Sequence, residues 1–148
     1  MGKYKVEIYT DGACSCNPGI GGWAAVCKIN EKIMKVCGGV EHATNNGMEL
    51  RAALEALKAL TVPCDVKIIS DSKYMIEALT KHTIAWIKTP GRKNADLMLE
   101  IIKVAKNGKH NVTFVKIPAH AGNKMNELAD KLAKAEIVKL RHKMYGGK

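Results

Sequence analysis

The chain has 148 residues, of which 47% are hydrophobic and 26% are charged. This length is near the common size of a single domain, and the apolar fraction excludes a disordered chain. No apolar run approaches the roughly 18 residues that cross a bilayer, and the N-terminus lacks the apolar core of a secretion signal. We therefore expect one globular domain over residues 1–148, with a loose basic tail at 141–148, in the cytoplasm and without a membrane partner.

Positive charge is concentrated in the second half of the chain. Lys and Arg number 24 against 14 Asp and Glu, a formal net charge of +10. Residues 1–74 carry 9 basic and 8 acidic side chains, whereas residues 75–148 carry 15 and 6. A basic half is typical of a protein with a polyanionic partner, and nucleic acid is favoured because no long basic amphipathic helix is evident. A surface that only keeps the protein in solution is the alternative.

The cysteines predict reduced thiols. Five is an odd number, and none of them forms a CxxC pair, which disfavours both a disulfide framework and a zinc site. Cys14 and Cys16 share one predicted loop, and a redox-sensitive pair is favoured there over a metal-thiolate site. The five are Cys14, Cys16, Cys27, Cys37 and Cys64.

The first third of the chain predicts three successive strands. Residues 4–9 alternate and are rich in β-branched and aromatic side chains, so Asp11 is predicted at the C-terminal end of a strand. Turn-forming residues then separate strands at 23–29 and 33–40. Three consecutive strands with short connections predict an antiparallel meander.

The rest of the chain alternates helices and strands. Leucines at helical spacing predict a helix over 48–60, preceded by capping residues at 44–47. A strand at 66–69 places Asp71 at its end, and Ser72 begins a short helix to residue 79. An extra helix near Trp86, a helix over 95–106 capped by Asn94, a strand at 112–117 and a last helix capped near Asn126 follow. The order βββαβαβα predicts an α/β fold with a mixed sheet and helices on its faces.

Four carboxylates fall at the ends of these elements. Asp11 and Asp71 follow strands, Glu49 begins a helix and borders its apolar face, and Asp130 lies in the first turns of the last helix. Each alone is explained by a helix cap or a surface charge. Together they predict an acidic pocket, in which a hard divalent cation offsets the mutual repulsion.

Four motifs resemble those of ribonuclease HI and occur in that family's order. Together they cover the chain from about Tyr4 to Ala135. They are Thr10-Asp11-Gly12-Ala13-Cys14 with Asn17-Pro18-Gly19, then Thr44 to Ala52, then Ser70-Asp71-Ser72-Lys73-Tyr74, then His120 to Asp130. The resemblance implies the ribonuclease H fold, a five-stranded mixed sheet with helices on both faces, in agreement with the element order.

The resemblance also implies the chemistry. Asp11, Glu49, Asp71 and Asp130 match the family's catalytic metal ligands, which bind two Mg²⁺ with Mn²⁺ as an alternative ion. The implied reaction is endonucleolytic hydrolysis of the RNA strand of an RNA–DNA hybrid, leaving 5′-phosphate and 3′-hydroxyl ends. His120 matches a loop histidine with an accessory part in proton transfer or product release. We expect a free-standing, monomeric enzyme.

Three segments are similar to the family's substrate-contacting regions. Two are loops that approach the minor groove of the hybrid and the DNA strand, although turn formation and helix capping explain the same residues. The third, residues 81–94, takes the place of a basic protrusion but is shorter, so the grip on DNA is expected to be weaker. The residues concerned are Gly12, Ala13, Cys14 and Asn17, then Thr44, Asn45, Asn46 and Met48, then Trp86, Lys88, Arg92 and Lys93. For Trp86, a place in the core is an equal alternative to stacking on a nucleotide.

Other functions remain open from the sequence. One is a hybrid-binding protein that does not cleave, which the four carboxylates disfavour. Others are the ribonuclease H domain of a reverse transcriptase and a structure-specific DNA nuclease on the same fold.

Overall fold

The computed structural model describes residues 4–146 as one α/β unit. Its strands are β1 (Tyr4–Cys14), β2 (Gly19–Ile29), β3 (Lys32–Ala43), β4 (Cys64–Ser70) and β5 (Asn111–Lys116). Its helices are α1 (Asn45–Ala59), α2 (Lys73–Ala78), α3 (Thr83–Lys88), α4 (Ala95–Asn107) and α5 (Lys124–Met144). The predicted order of elements is confirmed, including the short extra helix that contains Trp86.

The strands form one mixed sheet in the order β3-β2-β1-β4-β5. The meander β1–β3 pairs antiparallel, whereas β1, β4 and β5 run parallel. Parallel pairing of β1 with β4 ends at Tyr9 and Ile69. Beyond that point the two strands diverge, and this gap at the end of the sheet is where the acidic residues gather.

Helices cover both faces of the sheet, as expected. Trp23 of β2 packs with Ala52 of α1, while a side chain on the adjacent Gly22 would meet the backbone of Ala133 in α5. Neighbouring residues of a strand point to opposite faces, so α1 and α5 lie on opposite sides of the sheet. Helix α4 packs on the outside of α1. Among the described helices, none is long and apolar enough to span a membrane.

The main core lies between α1 and the central strands. Its fully buried side chains include Ile8 of β1, Ile68 of β4 and the α1 leucines 50, 54 and 57. The leucine spacing that predicted α1 is therefore the spacing that fills this core. Burial of these side chains fixes the rotation of α1 and, with it, the direction in which Glu49 points.

Several predicted boundaries are wrong. Strand β1 does not end at Asp11, because its pairing with β2 continues as far as Cys14. Helix α5 is capped by Asn123, whose Oδ1 accepts from the backbone N–H of Asn126 at 3.0 Å. Asn94 directly precedes α4, as predicted, but it has left-handed φ of 67° and its side chain forms no capping hydrogen bond. The expected loose tail is helical to Met144, and residues 147–148 lie outside the described part of the chain.

Candidate active site

Two carboxylates come from the gap between β1 and β4. Asp11 lies two residues beyond the last residue of β1 that pairs with β4, and Asp71 directly follows β4. The Oγ of Ser70 accepts from the backbone N–H of Ser72 at 3.0 Å, and Ser72 caps α2 through Met75 N at 3.1 Å. These two bonds fix the turn that carries Asp71.

The third carboxylate, Glu49, comes from the first turns of α1. Thr44 caps this helix, its Oγ1 accepting from Gly47 N at 3.1 Å. A Cβ on Gly12 would lie 2.6 Å from backbone atoms of Met48 and Glu49, so only glycine lets β1 approach α1 this closely. The close approach brings Glu49 beside Asp11.

The three carboxylates form a compact, buried cluster. Asp11, Glu49 and Asp71 each offer an oxygen, and these oxygens lie within 4.8 Å of one another. Asp11 is 6% exposed and Glu49 is 7% exposed. Burial raises the pKa of Asp11 to about 7, where a hydrogen bond with Glu49 opposes the rise and Asp130 and Asp71 add to it. Burial, followed by the charge of Asp11, raises the pKa of Glu49 well above its usual value.

Asp130 approaches this cluster from α5, on the opposite side from α1. It is half-buried, lies close enough to Asp11 to raise the pKa of that carboxyl group, and pairs with Lys134 Nζ at 3.1 Å. It is not one of the three residues whose oxygens share the 4.8 Å group. The four predicted carboxylates thus meet at one end of the sheet, with Asp130 at the rim.

The donor set suits a hard divalent cation. It consists of carboxylate oxygens, which Mg²⁺ and Mn²⁺ prefer, and Glu49 Oε2 is buried without a hydrogen-bond partner among the described residues. Burial, more than the neighbouring charges, favours the protonated forms of Asp11 and Glu49, and the Gly12 N–H that donates to Asp11 Oδ1 at 2.9 Å opposes this only in part. A cation would supply the missing positive charge and a partner for the unpaired oxygen.

His120 stands apart from the cluster. It is exposed, in a loop between β5 and α5, with left-handed φ of 53°. Gly122 in the same loop has φ of 83°. His120 is not part of the carboxylate group found among residues 4–146.

A polar cavity of about 440 Å³ collects many of the predicted substrate-contacting residues. Asn17 Oδ1 accepts from the backbone N–H of Asn45 at 3.1 Å, which joins the β1–β2 loop to the start of α1. The cavity is lined by Asn17, Pro18, Thr44, Asn46, Tyr74, Gly91, Arg92, Lys93 and Asn94. The lining combines amide and hydroxyl groups with two cations, which fits a phosphate.

Trp86 is half-buried and packs against the edge of the main core. His82 stacks on its ring at 4.9 Å between centroids, Arg92 lies 3.8 Å from the ring centroid, and Tyr74 is 5.4 Å away. The core alternative therefore describes its surroundings, and its contact with Arg92 holds that cation beside the cavity. Lys88 is exposed on α3.

The remaining predicted contacts differ in exposure. Met48 is 5% exposed and packs with Trp23, and half-buried Cys14 packs against the same cluster. Gly12 and Ala13 are half-buried in β1, and Asn45 is exposed. The Met48 side chain is therefore occupied by packing with Trp23, whereas Asn45 is open to solvent.

Three residues near the site were missed as functional candidates. Tyr74 and Asn94 line the cavity and are joined by a hydrogen bond of 3.1 Å from Asn94 Nδ2 to the Tyr74 hydroxyl. Asn126 is 3% exposed and donates from Nδ2 to Asp71 Oδ2 at 3.4 Å. Tyr74 lies in the recognised Ser70–Tyr74 motif and Asn126 in the His120–Asp130 motif, which were usable signals, whereas Asn94 was interpreted only as a helix cap.

Comparisons with known proteins agree with this fold. The chain matches the family model of RNase H over residues 3–138. It is 44% identical over 140 residues to the ribonuclease H of Thermoanaerobacter sp. (strain X514), covering 89% of each chain. It is 43% identical over 137 residues to the ribonuclease HI of Campylobacter jejuni (strain ATCC 700819 / NCTC 11168), covering 91% of this chain and 92% of that relative.

A solved structure of a complex with nucleic acid has a similar fold. LC11-RNase H1 in complex with an RNA/DNA hybrid has a TM-score of 0.75 to this chain at 24% identity, covering 91% of this chain and 98% of that one. The fold, the match over most of the length and the named relatives define a nuclease of the ribonuclease H class. The chain belongs to the ribonuclease H family, and its activity is that of a ribonuclease H. The resemblance found in the sequence is confirmed.

Proposed function

We propose that this ribonuclease H hydrolyses the RNA strand of RNA–DNA hybrids with two Mg²⁺ ions held by Asp11, Glu49, Asp71 and Asp130. Water adds to the phosphorus and the bond to the 3′ oxygen breaks, which leaves 5′-phosphate and 3′-hydroxyl ends. The observation that carries this proposal is the group of three carboxylates, two buried and one half-buried, whose oxygens lie within 4.8 Å of one another, with Asp130 close enough to raise the pKa of Asp11. Mn²⁺ suits the same oxygen ligands.

The protein holds the carboxylate oxygens in a fixed arrangement, and the free energy of folding offsets the cost of bringing them together. Bound cations would activate water and stabilise the leaving oxygen. Asp11 and Glu49 lie in a buried setting where their interactions with positive charge are strong because solvent screening is weak. The β1–α1 contact through Gly12 and the turn around Asp71 keep the oxygens in place before substrate arrives.

The hybrid would lie across the carboxylates and the cavity beside α1. In the proposed complex, the backbone of residues 12–14 faces the RNA minor groove, and the cavity with Thr44, Asn17 and Arg92 takes a phosphate of the DNA strand. The solved complex of LC11-RNase H1 with an RNA/DNA hybrid supports this substrate. We assign His120 an accessory role in proton transfer or product release, which is compatible with its exposed position outside the carboxylate group.

We also propose that the enzyme acts as a monomer in the cytoplasm. The five cysteines are all free thiols, from buried Cys27 to exposed Cys16, which fits a reducing compartment. Sedimentation equilibrium of the purified protein tests the monomer, and a concentration-dependent dimer would refute it.

The first experiment is incubation of the protein with labelled RNA–DNA hybrid, duplex DNA and single-stranded RNA, in Mg²⁺ with and without excess chelator. We expect chelator-sensitive cleavage of the hybrid's RNA strand only, with 5′-phosphate on the downstream product. Binding of the hybrid without cleavage in Mg²⁺ or Mn²⁺ would contradict the proposal and indicate a hybrid-binding protein.

Asp71→Asn tests the proposed metal ligand directly. Replacing this carboxylate removes a proposed metal ligand and spares the basic surface, so we expect cleavage to fall at least about 100-fold while hybrid affinity changes little. Glu100→Gln removes the same charge from an exposed position on α4 and should cleave like the unchanged protein. Full activity of Asp71→Asn would exclude Asp71 as a ligand.

A further inference from the structure

Asn126 is a polar side chain in an unusual position. It is 3% exposed, its Oδ1 is buried without a hydrogen-bond partner among the described residues, and its one side-chain hydrogen bond is to Asp71. Burial of an amide that is only partly hydrogen-bonded opposes folding. An apolar side chain of similar volume would fill the same space without that cost.

The location of Asn126 explains why an amide is present there. A carboxylate only accepts hydrogen bonds, so the amide nitrogen faces Asp71 Oδ2, at 3.4 Å. Asn126 and Asp130 are four residues apart on α5 and so lie on the same face of the helix. One face of α5 therefore lies beside two carboxylates of the group, Asp71 through Asn126 and Asp11 through Asp130.

The backbone of Asn126 is itself held in place. Its N–H donates to Asn123 Oδ1 at 3.0 Å, in the cap that begins α5. The side chain therefore extends from a fixed point on a rigid helix. Asp71, in contrast, follows the last residue of β4 and is outside the regular elements.

We propose that Asn126 is a positioning residue that orients the Asp71 carboxylate for binding the divalent cation and leaves its own Oδ1 as an acceptor for water at the site. This inference rests on the proposed function, in which Asp71 is a metal ligand. Groups that orient ligands in this way commonly change metal affinity by about 10- to 100-fold when they are removed.

The test compares Asn126→Leu with the unchanged protein in Mn²⁺ titrations, followed by the electron paramagnetic resonance signal of free Mn²⁺. We expect Asn126→Leu to bind Mn²⁺ about 10- to 100-fold more weakly. Its urea midpoint in excess chelator should be unchanged or higher, because Leu fills the space of Asn without a buried amide. Asn126→Ala, which removes the amide with a smaller side chain, should show the same loss of affinity.

Asn107→Leu is the matched control. It makes the same substitution at an exposed position in the last turn of α4, a helix that carries none of the four carboxylates, so Mn²⁺ affinity should stay unchanged. Mn²⁺ affinity of Asn126→Leu equal to that of the unchanged protein would overturn the inference alone. Absence of Mn²⁺ binding by the unchanged protein would overturn the proposed metal site, and the inference with it.

Discussion

Asp11 is a residue whose proposed function in metal binding lowers the stability of the folded protein. It is almost fully buried, and burial raises its pKa to about 7, far above the ordinary 3.8. In the folded protein without cations, Asp11 keeps its proton at pH values where the unfolded chain has lost it. A protein selected for stability alone would have no reason to keep a carboxylic acid here.

The predicted consequence is a pH-dependent stability that depends on Asp11. Because the folded state binds more protons than the unfolded state between about pH 4 and 7, the free energy of unfolding should fall as the pH rises through this range, in excess chelator. Asp11→Asn removes the part of this loss that comes from Asp11 and leaves the part that comes from Glu49, whose pKa is also raised. The variant should stabilise the protein at pH 8 by up to about 4 kcal/mol, since each tenfold change in proton affinity corresponds to about 1.4 kcal/mol.

Urea unfolding at pH 5 and pH 8 measures this effect. Glu100→Gln, which removes an exposed acid on α4, should show the same pH dependence as the unchanged protein. If Asp11→Asn and the unchanged protein lost equal stability between the two pH values, Asp11 would not be the source.

At the scale of elements, the spacing of hydrophobic residues predicted the features that packing in the core determines, namely helix α1 and the face of it that is buried. The α1 leucines pack on β1 and β4. The leucine spacing that predicted the helix therefore also predicted the direction in which Glu49 points. The four carboxylates could be singled out from their places at element ends, and their assembly follows from the sheet order. The family resemblance supplied their proposed roles, which spacing alone does not.

The features that the sequence could not give depend on contacts between distant segments. Strand β1 continues past Asp11 because β2 still pairs with it, and nothing local marks where pairing with β4 stops. Asn123 and Asn126 are both good caps by residue type, so only the fold shows that Asn126 turns to Asp71. The surroundings of Trp86 likewise come from Arg92 and His82 in three dimensions.

The segment around α3 carries a prediction about substrate binding. Lys88, Arg92 and Lys93 are exposed, and the latter two line the polar cavity of about 440 Å³. Replacing all three with Ala should weaken hybrid binding and reduce the slope of log affinity against log salt by up to about 0.9 for each lost phosphate contact, the value for B-DNA.

Fluorescence titrations of a labelled hybrid between about 50 and 200 mM salt give this slope. The matched control replaces Lys103, Lys106 and Lys109 with Ala, which removes the same charge at the other end of α4. A slope that changes equally in both triple variants would mean that net charge, rather than contact by the α3 segment, determines the salt dependence.

At the scale of the whole molecule, an acidic centre lies within a protein of net charge +10. The positive surface attracts the hybrid at long range, whereas the carboxylates would repel its phosphates at close range unless cations intervene. Bound cations would therefore serve two purposes. They would reduce the electrostatic repulsion among Asp11, Glu49 and Asp71, and they would reduce the repulsion between these carboxylates and the phosphates of the substrate. Cation binding should thus appear in the stability of the entire fold.

We expect Mg²⁺ to raise the melting temperature of the unchanged protein at pH 8. A cation that binds only the folded state stabilises it by about 2.7 kcal/mol at 100 times its Kd, which is roughly 5–10 °C for a chain of this size. Scanning calorimetry across Mg²⁺ concentrations, with Na⁺ at matched ionic strength as the control, measures the shift. Asp71→Asn should show a much smaller shift because it lacks one of the clustered oxygens. An equal shift in this variant would place the stabilising cation elsewhere on the protein, and the acidic end of the sheet would then need another source of positive charge.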